Sequence, residues 1–279
     1  MSLSPHLICP LDSSPLQQQD KSLCCEQGHR FDLARQGYAN LLPVQNKRSL
    51  APGDSKEMIN ARQQFLDAGY YQSIAEEMIA QLKPLLAEES CVIDAGCGEG
   101  YYLHQLAQAL GAGNDFIGND ISKAAVVKCC QRSRDYSWLV ASNRSLPVQA
   151  DCVDVVLCMF GFPVYDEFLR VLKPGGILLM VDAGPHHLLE LREIVYPEIK
   201  EKPDNLVLQA QQAGFILQQE SALNFQITAL PRDAIHSLLL MTPHFFRANA
   251  EARNKALALQ NINLSVDVNF RLFRNPAGM

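Results

Sequence analysis

Cys91-Val92-Ile93-Asp94-Ala95-Gly96-Cys97-Gly98-Glu99-Gly100 is the stretch from which the rest of the chain can be read. A short apolar run, Val92-Ile93, ends at Asp94 and breaks into Gly96, Gly98 and Gly100; a helical pattern begins at Tyr101-Tyr102-Leu103. Strand, glycine turn and helix in that order present a nucleotide-like ligand beyond the carboxyl end of a sheet's first strand. The glycines let backbone approach the ligand, and Asp94 and Glu99 add acceptors. The spacing is G-x-G-x-G, whereas a dinucleotide fold uses G-x-G-x-x-G and receives a pyrophosphate at the helix N-terminus. Two carboxylates at this turn suit a ligand with ammonium and sulfonium cations better than a diphosphate. A glycine run after a strand can also be only a tight turn.

A second stretch falls where the first places it. Phe116-Ile117-Gly118-Asn119-Asp120-Ile121-Ser122 reads as a strand ending in an acid, about 20 residues past the glycines, where a ribose-binding carboxylate belongs. The bland reading makes Asp120-Ile121-Ser122 a cap for a helix at Lys123–Arg132, and Ser122 is the N-cap under both readings. The glycine stretch resembles motif I of the class I S-adenosylmethionine (SAM) methyltransferases.

Composition narrows the classes. A chain of 279 residues with 48% hydrophobic content fills one large or two unequal domains. No apolar run reaches membrane-spanning length and no signal-peptide core opens the chain. Nine cysteines, an odd and scattered set with the adjacent pairs Cys24-Cys25 and Cys129-Cys130, point to a reducing cytoplasm rather than a disulfide framework. A net charge of -6 excludes a polybasic nucleic-acid binder, so any RNA must meet a local patch.

Residues 1–36 read as a small separate module. Cys9-Pro10-Leu11 opens it and Cys25-x3-His29 closes it; so short a piece needs a staple such as tetrahedral zinc. Asp12 stands where a C-x2-C knuckle has its second thiolate. The candidate ligands are Cys9, Asp12, Cys25 and His29, with Cys24 as a substitute; scattered reduced cysteines are the alternative. From Arg30 to Arg62 the basic residues Arg30, Arg35, Lys47, Arg48, Lys56 and Arg62 outnumber the acids Asp32, Asp54 and Glu57. That excess fits a phosphate contact, and equally a solvated linker.

Cys9-Pro10-Leu11, Cys25-x3-His29-x-Phe31-Asp32, Gly37-Tyr38-x-Asn40-Leu41-Leu42-Pro43, Pro52-Gly53-Asp54-Ser55, Phe65-Leu66-Asp67-Ala68-Gly69-x-Tyr71, Asp94-x-Gly96-Cys97-Gly98-Glu99-Gly100-Tyr101-Tyr102 and Gly184-Pro185-x-His187-Leu188-x-Glu190-Leu191 occur in that order. Together they are similar to the 23S ribosomal RNA guanine-N1 methyltransferases, over nearly the whole chain. The resemblance implies an N-terminal zinc ribbon that helps hold a large-subunit rRNA hairpin, then a Rossmann-like class I domain. That domain has a mostly parallel seven-stranded sheet with an antiparallel last strand. It implies SAM as methyl donor, structural zinc, a cytoplasmic location, no membrane partner, and a homodimer as one open assembly. Among the residues it assigns to SAM are Tyr71, Asp94, Gly96, Gly98, Glu99, Gly100, Asp120, Ser142, Asn143 and His187. On their own residues, Tyr71 reads as a core-edge tyrosine and His187 as structural. The division expected is 1–36 ribbon, 37–86 basic linker and helices, and 87–279 catalytic domain. A small-molecule SAM methyltransferase is the alternative, though it has no use for the N-terminal module.

The remaining pattern alternates strand and helix. Ser55 and Ser73 are the N-cap candidates of two helices before Pro84. Strands are expected at Trp138–Ser142, Asp154–Phe160, Ile177–Val181 and Phe225–Thr228, with Val266–Leu272 as the closing strand. Helices are expected at Glu167–Leu172, before a Lys173-Pro174-Gly175-Gly176 turn, at Leu188–Ile199 leading to Pro203, at Gln209–Ala213, and at Arg232–Leu240 ended by Met241-Thr242-Pro243. Cys158 lies inside its strand and reads as core. Phe160 and Phe162 can sandwich an extruded base or simply pack. Guanine N1 carries a proton at neutral pH, so a base is needed. Asp182 and Glu99 sit near the right strand ends, and no residue declares itself catalytic.

Overall fold

The computed structural model describes residues 3–43, 52–199, 204–242 and 248–276. Lys47, Arg48, Pro203 and Pro243, on which parts of the reading above rest, lie outside the described residues. The chain opens with β1 (Gln17–Gln19), β2 (Ser22–Cys24) and β3 (Arg30–Asp32), a three-stranded antiparallel sheet. Then come β4 (Ala39–Asn40), α1 (Lys56–Asp67), α2 (Gln72–Leu82), β5 (Cys91–Ala95), α3 (Tyr101–Leu110), β6 (Asp115–Asp120), α4 (Lys123–Arg132), β7 (Ser137–Val140) and β8 (Val153–Met159). The chain continues through α5 (Tyr165–Val171), β9 (Leu172–Ala183), α6 (Leu189–Val195), α7 (Leu206–Gln212), β10 (Ile216–Pro231), α8 (Arg232–Met241), α9 (Ala250–Ala258) and β11 (Asn261–Arg274).

The main sheet runs β10-β11-β9-β8-β5-β6-β7-β4. Only β11 runs against its neighbours; every other pairing among the described strands of this sheet is parallel. That is the mostly parallel class I sheet with its antiparallel last strand, joined at its other edge by β4 from the N-terminal segment. Its central strands are buried on both faces, as parallel strands with helices on each side must be. Val92, Val155 and Leu157 fill one core with α2, α3 and α8, whereas Ile93, Val156 and Cys158 fill the other. The second core also takes Leu3, Leu7, Cys9, Leu16 and Leu23. The N-terminal module is thus docked on the sheet: Leu7 bridges Val148, and the Ile8 N–H donates to Pro147 O at 3.0 Å.

Several boundaries differ from the sequence pattern, each for a local reason. Ser55 caps α1 by accepting from the Met58 N–H, but α2 starts at Gln72 with Tyr71 as its cap, so Ser73 lies inside the first turn. The Lys173–Gly176 turn is absorbed into β9, because Asn275 exchanges backbone hydrogen bonds with Gly175 and Gly176 at 2.9 Å. Helix α6 cannot begin at Leu188, whose φ is +53° and whose N–H donates to Ser265 O at 2.8 Å; it ends at Val195, before Tyr196-Pro197. Strand β10 spans 16 residues rather than Phe225–Thr228. It is an edge strand defined by pairing with β11, and the polar run Gln218-Gln219-Glu220-Ser221 interrupts the apolar alternation that would have extended it.

One close approach dictates a glycine. A Cβ on Gly118 would lie 2.2 Å from Cζ3 and 2.5 Å from Cε3 of Trp138, which is fully buried with its indole N–H donating to Ser133 O at 2.8 Å. Gly118→Ala should therefore cost about 3 kcal/mol by overpacking and lower the unfolding temperature by roughly 6–12 °C. Thermal denaturation checks this, with the Gly118→Ala/Trp138→Leu double variant recovering part of the loss.

Candidate cofactor and metal sites

The glycine turn is held by β6. Gly96 and Cys97 donate N–H to Asn119 O at 2.9 and 3.0 Å, and Gly98 N–H donates to Asp120 Oδ2 at 3.0 Å. Gly96, Gly98 and Gly100 have φ of +89°, +56° and +84°, a region costly to any side chain. Asp120 uses its other oxygen on the Ser122 N–H at 2.7 Å, while Ser122 Oγ caps α4. The capping contact leaves the carboxylate with lone pairs to spare after two such bonds, so it does not preclude a ribose contact.

Asp94 is different. Its carboxylate is buried at the end of β5, and neither oxygen has a hydrogen-bond partner in the protein. Glu99 Oε1, the Tyr102 hydroxyl and Asn119 Oδ1 are buried without partners around the same turn. Buried polar atoms are normally satisfied, so a cluster of four acceptor-bearing groups describes a cradle for a donor-rich, cationic ligand. Burial, then the nearby charges of Asp120 and Glu99, push the Asp94 carboxyl up to about 8. A bound cation reverses that by favouring the ionised form. This set of acceptors fits the ammonium and sulfonium of SAM.

Other expected residues converge here from far along the chain. Tyr71 and His187, 116 positions apart, meet at 3.1 Å between Oη and Nε2. The Asp267 N–H donates to His187 Nδ1 at 3.3 Å, which makes Nε2 the protonated nitrogen donating to Tyr71 in the neutral ring. Asn143 Oδ1 accepts from Asn119 Nδ2 at 2.8 Å. Ser142, in contrast, turns its hydroxyl onto its own loop, accepting from the Arg144 N–H at 3.2 Å. Glu99 is half committed: Oε2 pairs with Arg132, which also holds Asp67 at 2.7 Å. Asp182 accepts from Arg271 Nη1 at 2.6 Å, and Arg271 also holds Asp204 and Glu220. Both candidate proton acceptors thus serve guanidinium groups.

Three features escaped the sequence reading. Asn119 was legible as a polar residue inside an apolar strand. Tyr102 stands in a quoted motif but gave no sign that its hydroxyl is orphaned. The third is a strap: Ser122 Oγ donates to Asp54 O at 2.8 Å, and Asp54 pairs with Arg62 at 2.6 Å, bringing the 52–62 segment over the glycine turn.

At the end of β8 the backbone reverses through Phe160, whose φ is +54°. A bulky side chain there stores about 1–3 kcal/mol of strain. Its ring stacks on Tyr71 at 6.3 Å and lies 6.3 Å from Tyr102 and 6.1 Å from His187. Cys158 is buried, with its thiol pushed up to about 12 by burial, which makes it core.

In the N-terminal module Cys9, Asp12, Cys25 and His29 place one ligand atom each within 4.8 Å of one another. Cys9 and Cys25 Sγ lie 3.5 and 3.4 Å from His29 Nδ1, and Asp12 Oδ2 lies 2.8 Å from it. Edges of this size match a tetrahedral zinc with bonds of about 2.0–2.3 Å. Ser14 explains why Asp12 can stand in for a cysteine. Its N–H and hydroxyl donate to Asp12 Oδ1 at 2.9 and 2.5 Å, leaving Oδ2 toward the cluster. Cys24, the last residue of β2, is outside the cluster.

No helix among the described residues is long and apolar enough to cross a membrane. Residues 7–50 match the zinc-ribbon family model described as RlmA, N-terminal, and residues 86–228 match a methyltransferase domain model. The Bacillus subtilis protein YxjB, named provisionally as a 23S rRNA (guanine-N1)-methyltransferase, is 32% identical over 270 residues, covering 93% of this chain and 94% of that one. The 23S rRNA (guanine(748)-N(1))-methyltransferase of Streptomyces fradiae is 36% identical over 191 residues, 67% of this chain and 66% of that one. Among solved structures, a chain of the Haloferax volcanii complex between the Trm112 methyltransferase activator and a methyltransferase shares the fold. Its TM-score is 0.52 at 18% identity, covering 78% of this chain and 95% of that one.

Proposed function

This chain belongs to the 23S ribosomal RNA (guanine-N1)-methyltransferase family, and from that premise we propose that it transfers a methyl group from SAM to N1 of a guanine in a large-subunit rRNA hairpin. The observation that carries the reading is the buried Asp94 carboxylate with no partner, at the head of a glycine turn behind a docked ribbon-like module. When bound, SAM supplies a methyl group already activated on a sulfonium. The protein's work is therefore alignment and exclusion of water. Asp94 and Glu99 Oε1 would hold its cationic end, the glycine turn would admit close backbone contact, and Asp120 would take the ribose. Asn143, fixed by Asn119, and Ser142 would meet the adenine, and the Tyr71–His187 pair would close the side beside Phe160. N1 lies on the Watson–Crick edge, so the target guanine must be unpaired or flipped.

Asp182 pairs with Arg271, and Glu99 pairs with Arg132 through Oε2 while its Oε1 is left toward the cofactor cradle. We divide the chain into a ribbon-like module of residues 1–36 for RNA, a connector of 37–86 that straps the cofactor site, and a catalytic domain of 87–279. Zinc on Cys9, Asp12, Cys25 and His29 fixes the ribbon's shape. A small-molecule acceptor would leave that module without a role.

The test is transfer of label from tritiated SAM to undermethylated 23S rRNA, digested and scored for 1-methylguanosine. Label in that nucleoside, lost in Asp94→Ala, is expected; label confined to another base would overturn the substrate, and label on metabolites alone would overturn RNA as the acceptor.

A further inference from the structure

We propose that Phe162 is the residue that stacks on the target guanine, a specificity role distinct from that of Phe160 and resting on the function proposed above. The two phenylalanines flank Gly161 at the carboxyl end of β8, yet the fold gives them opposite environments. Phe160 N–H donates to Val181 O at 2.7 Å, and its left-handed backbone turns the ring back onto Tyr71, Tyr102 and His187. That ring is part of the pocket wall. Phe162 is 91% exposed, against 38% for Phe160. No aromatic ring among the described residues lies against it.

Its position gives that exposure a use. A Cβ built on Gly161 would lie 3.3 Å from Cys158 Sγ and 3.7 Å from Ala95 O, so this turn rests on the end of β5, beside the cofactor cradle. Pro163 follows directly and stiffens the turn. What singles out this ring is its place, at the carboxyl end of β8 next to Phe160 and the cofactor cradle, where an acceptor base has to approach. A guanine taken out of its stack loses both neighbours, and an aromatic face replaces one of them. Phenylalanine has no polar group to satisfy, so either face of its ring can carry a purine while the Watson–Crick edge points to the methyl donor.

The test uses the full-length protein with Phe162→Ala, Phe162→Leu and Phe162→Trp. With a 23S rRNA transcript and saturating SAM, Phe162→Ala should raise the RNA KM about 10–100-fold, the range that loss of one base–aromatic stack gives. SAM affinity by calorimetry should stay within about 2-fold. Phe162→Leu, apolar but without a π face, should behave like Phe162→Ala, and Phe162→Trp should stay near wild type. The new indole in Phe162→Trp also reports stacking without turnover, because the natural Trp138 is buried. Its emission should be quenched by guanine-containing single-stranded RNA. Full activity in Phe162→Leu would reduce the contact to apolar packing and overturn the proposal. So would a change of sedimentation coefficient in Phe162→Ala, which would make the ring an interface between copies of this chain. Turnover on 23S rRNA without quenching overturns the stacking role and leaves the function standing. Quenching without turnover supports the stacking role and overturns that RNA as substrate; absence of both overturns both.

Discussion

Asp94→Asn should bind SAM at least about 100-fold more weakly and yet, without cofactor, unfold at a higher temperature than wild type at pH 8. The loss follows from removing a buried carboxylate with neither oxygen partnered in the protein, a charge that a bound cation would pair, and such a deletion is worth about 3–5 kcal/mol in buried pairs. The gain follows from linkage. The folded-state pKa of Asp94 is raised from the ordinary 3.8 to about 8 by burial and by Asp120 and Glu99. The unfolded chain is then deprotonated above about pH 4 while the native state keeps its proton up to about 8, so native stability falls as pH rises through that window and levels off above it. The penalty at pH 8 is on the order of a few kcal/mol, which the isosteric amide escapes, at about 2–4 °C of unfolding temperature per kcal/mol. For the same reason SAM binding to the wild type should strengthen with pH, by up to tenfold per unit until about pH 8, releasing close to one proton near pH 7. Calorimetry in buffers of different ionisation enthalpy reads that proton. A pH-independent affinity with no proton released would show that Asp94 is ionised before the ligand arrives.

Removing the metal should separate the two halves of the activity. With Cys25→Ser, or after treatment with a strong chelator, about one zinc per chain should be lost. Hydrogen exchange should then rise across residues 3–43, because so small a module lacks a sufficient core of its own. SAM affinity should change less than about 2-fold, since the cradle is built on β5 and β6, while the KM for rRNA should rise at least about tenfold. Asp12→Cys should slow zinc loss to a chelator by at least about tenfold, because thiolate is the commoner ligand in structural sites. Ser14→Ala should speed it, because Asp12 Oδ1 loses the hydroxyl that positions the carboxylate. Metal content by mass spectrometry is the readout throughout. Protein that holds zinc equally well as Cys25→Ser would remove Cys25 from the ligand set.

What could be read in advance lies where the backbone decides locally. Gly96, Gly98 and Gly100 announce positive φ, Asp94 and Asp120 mark strand ends, and the alternation of apolar runs with helical patterns points to a parallel sheet, whose reversed last strand the family resemblance implies. Cys9, Asp12, Cys25 and His29 were legible by spacing, because a chelate loop constrains sequence separation. The tertiary structure decided everything that depends on which distant atoms meet. Asp94 and Asp120 look equivalent in sequence, yet backbone N–H groups occupy Asp120 and leave Asp94 bare. Tyr71 finds His187 across 116 residues. Glu99 and Asp182 meet Arg132 and Arg271, which arrive from other elements. Strand β4 joins the sheet by only two residues, too few to show a period. Phe160 and Phe162 share one short phrase of sequence, and only the left-handed turn between β8 and its loop sends one ring into the wall and the other into water. Local pattern determines where the chain turns and which face is apolar; burial and partner satisfaction, which create the cradle, are properties of the assembled sheet.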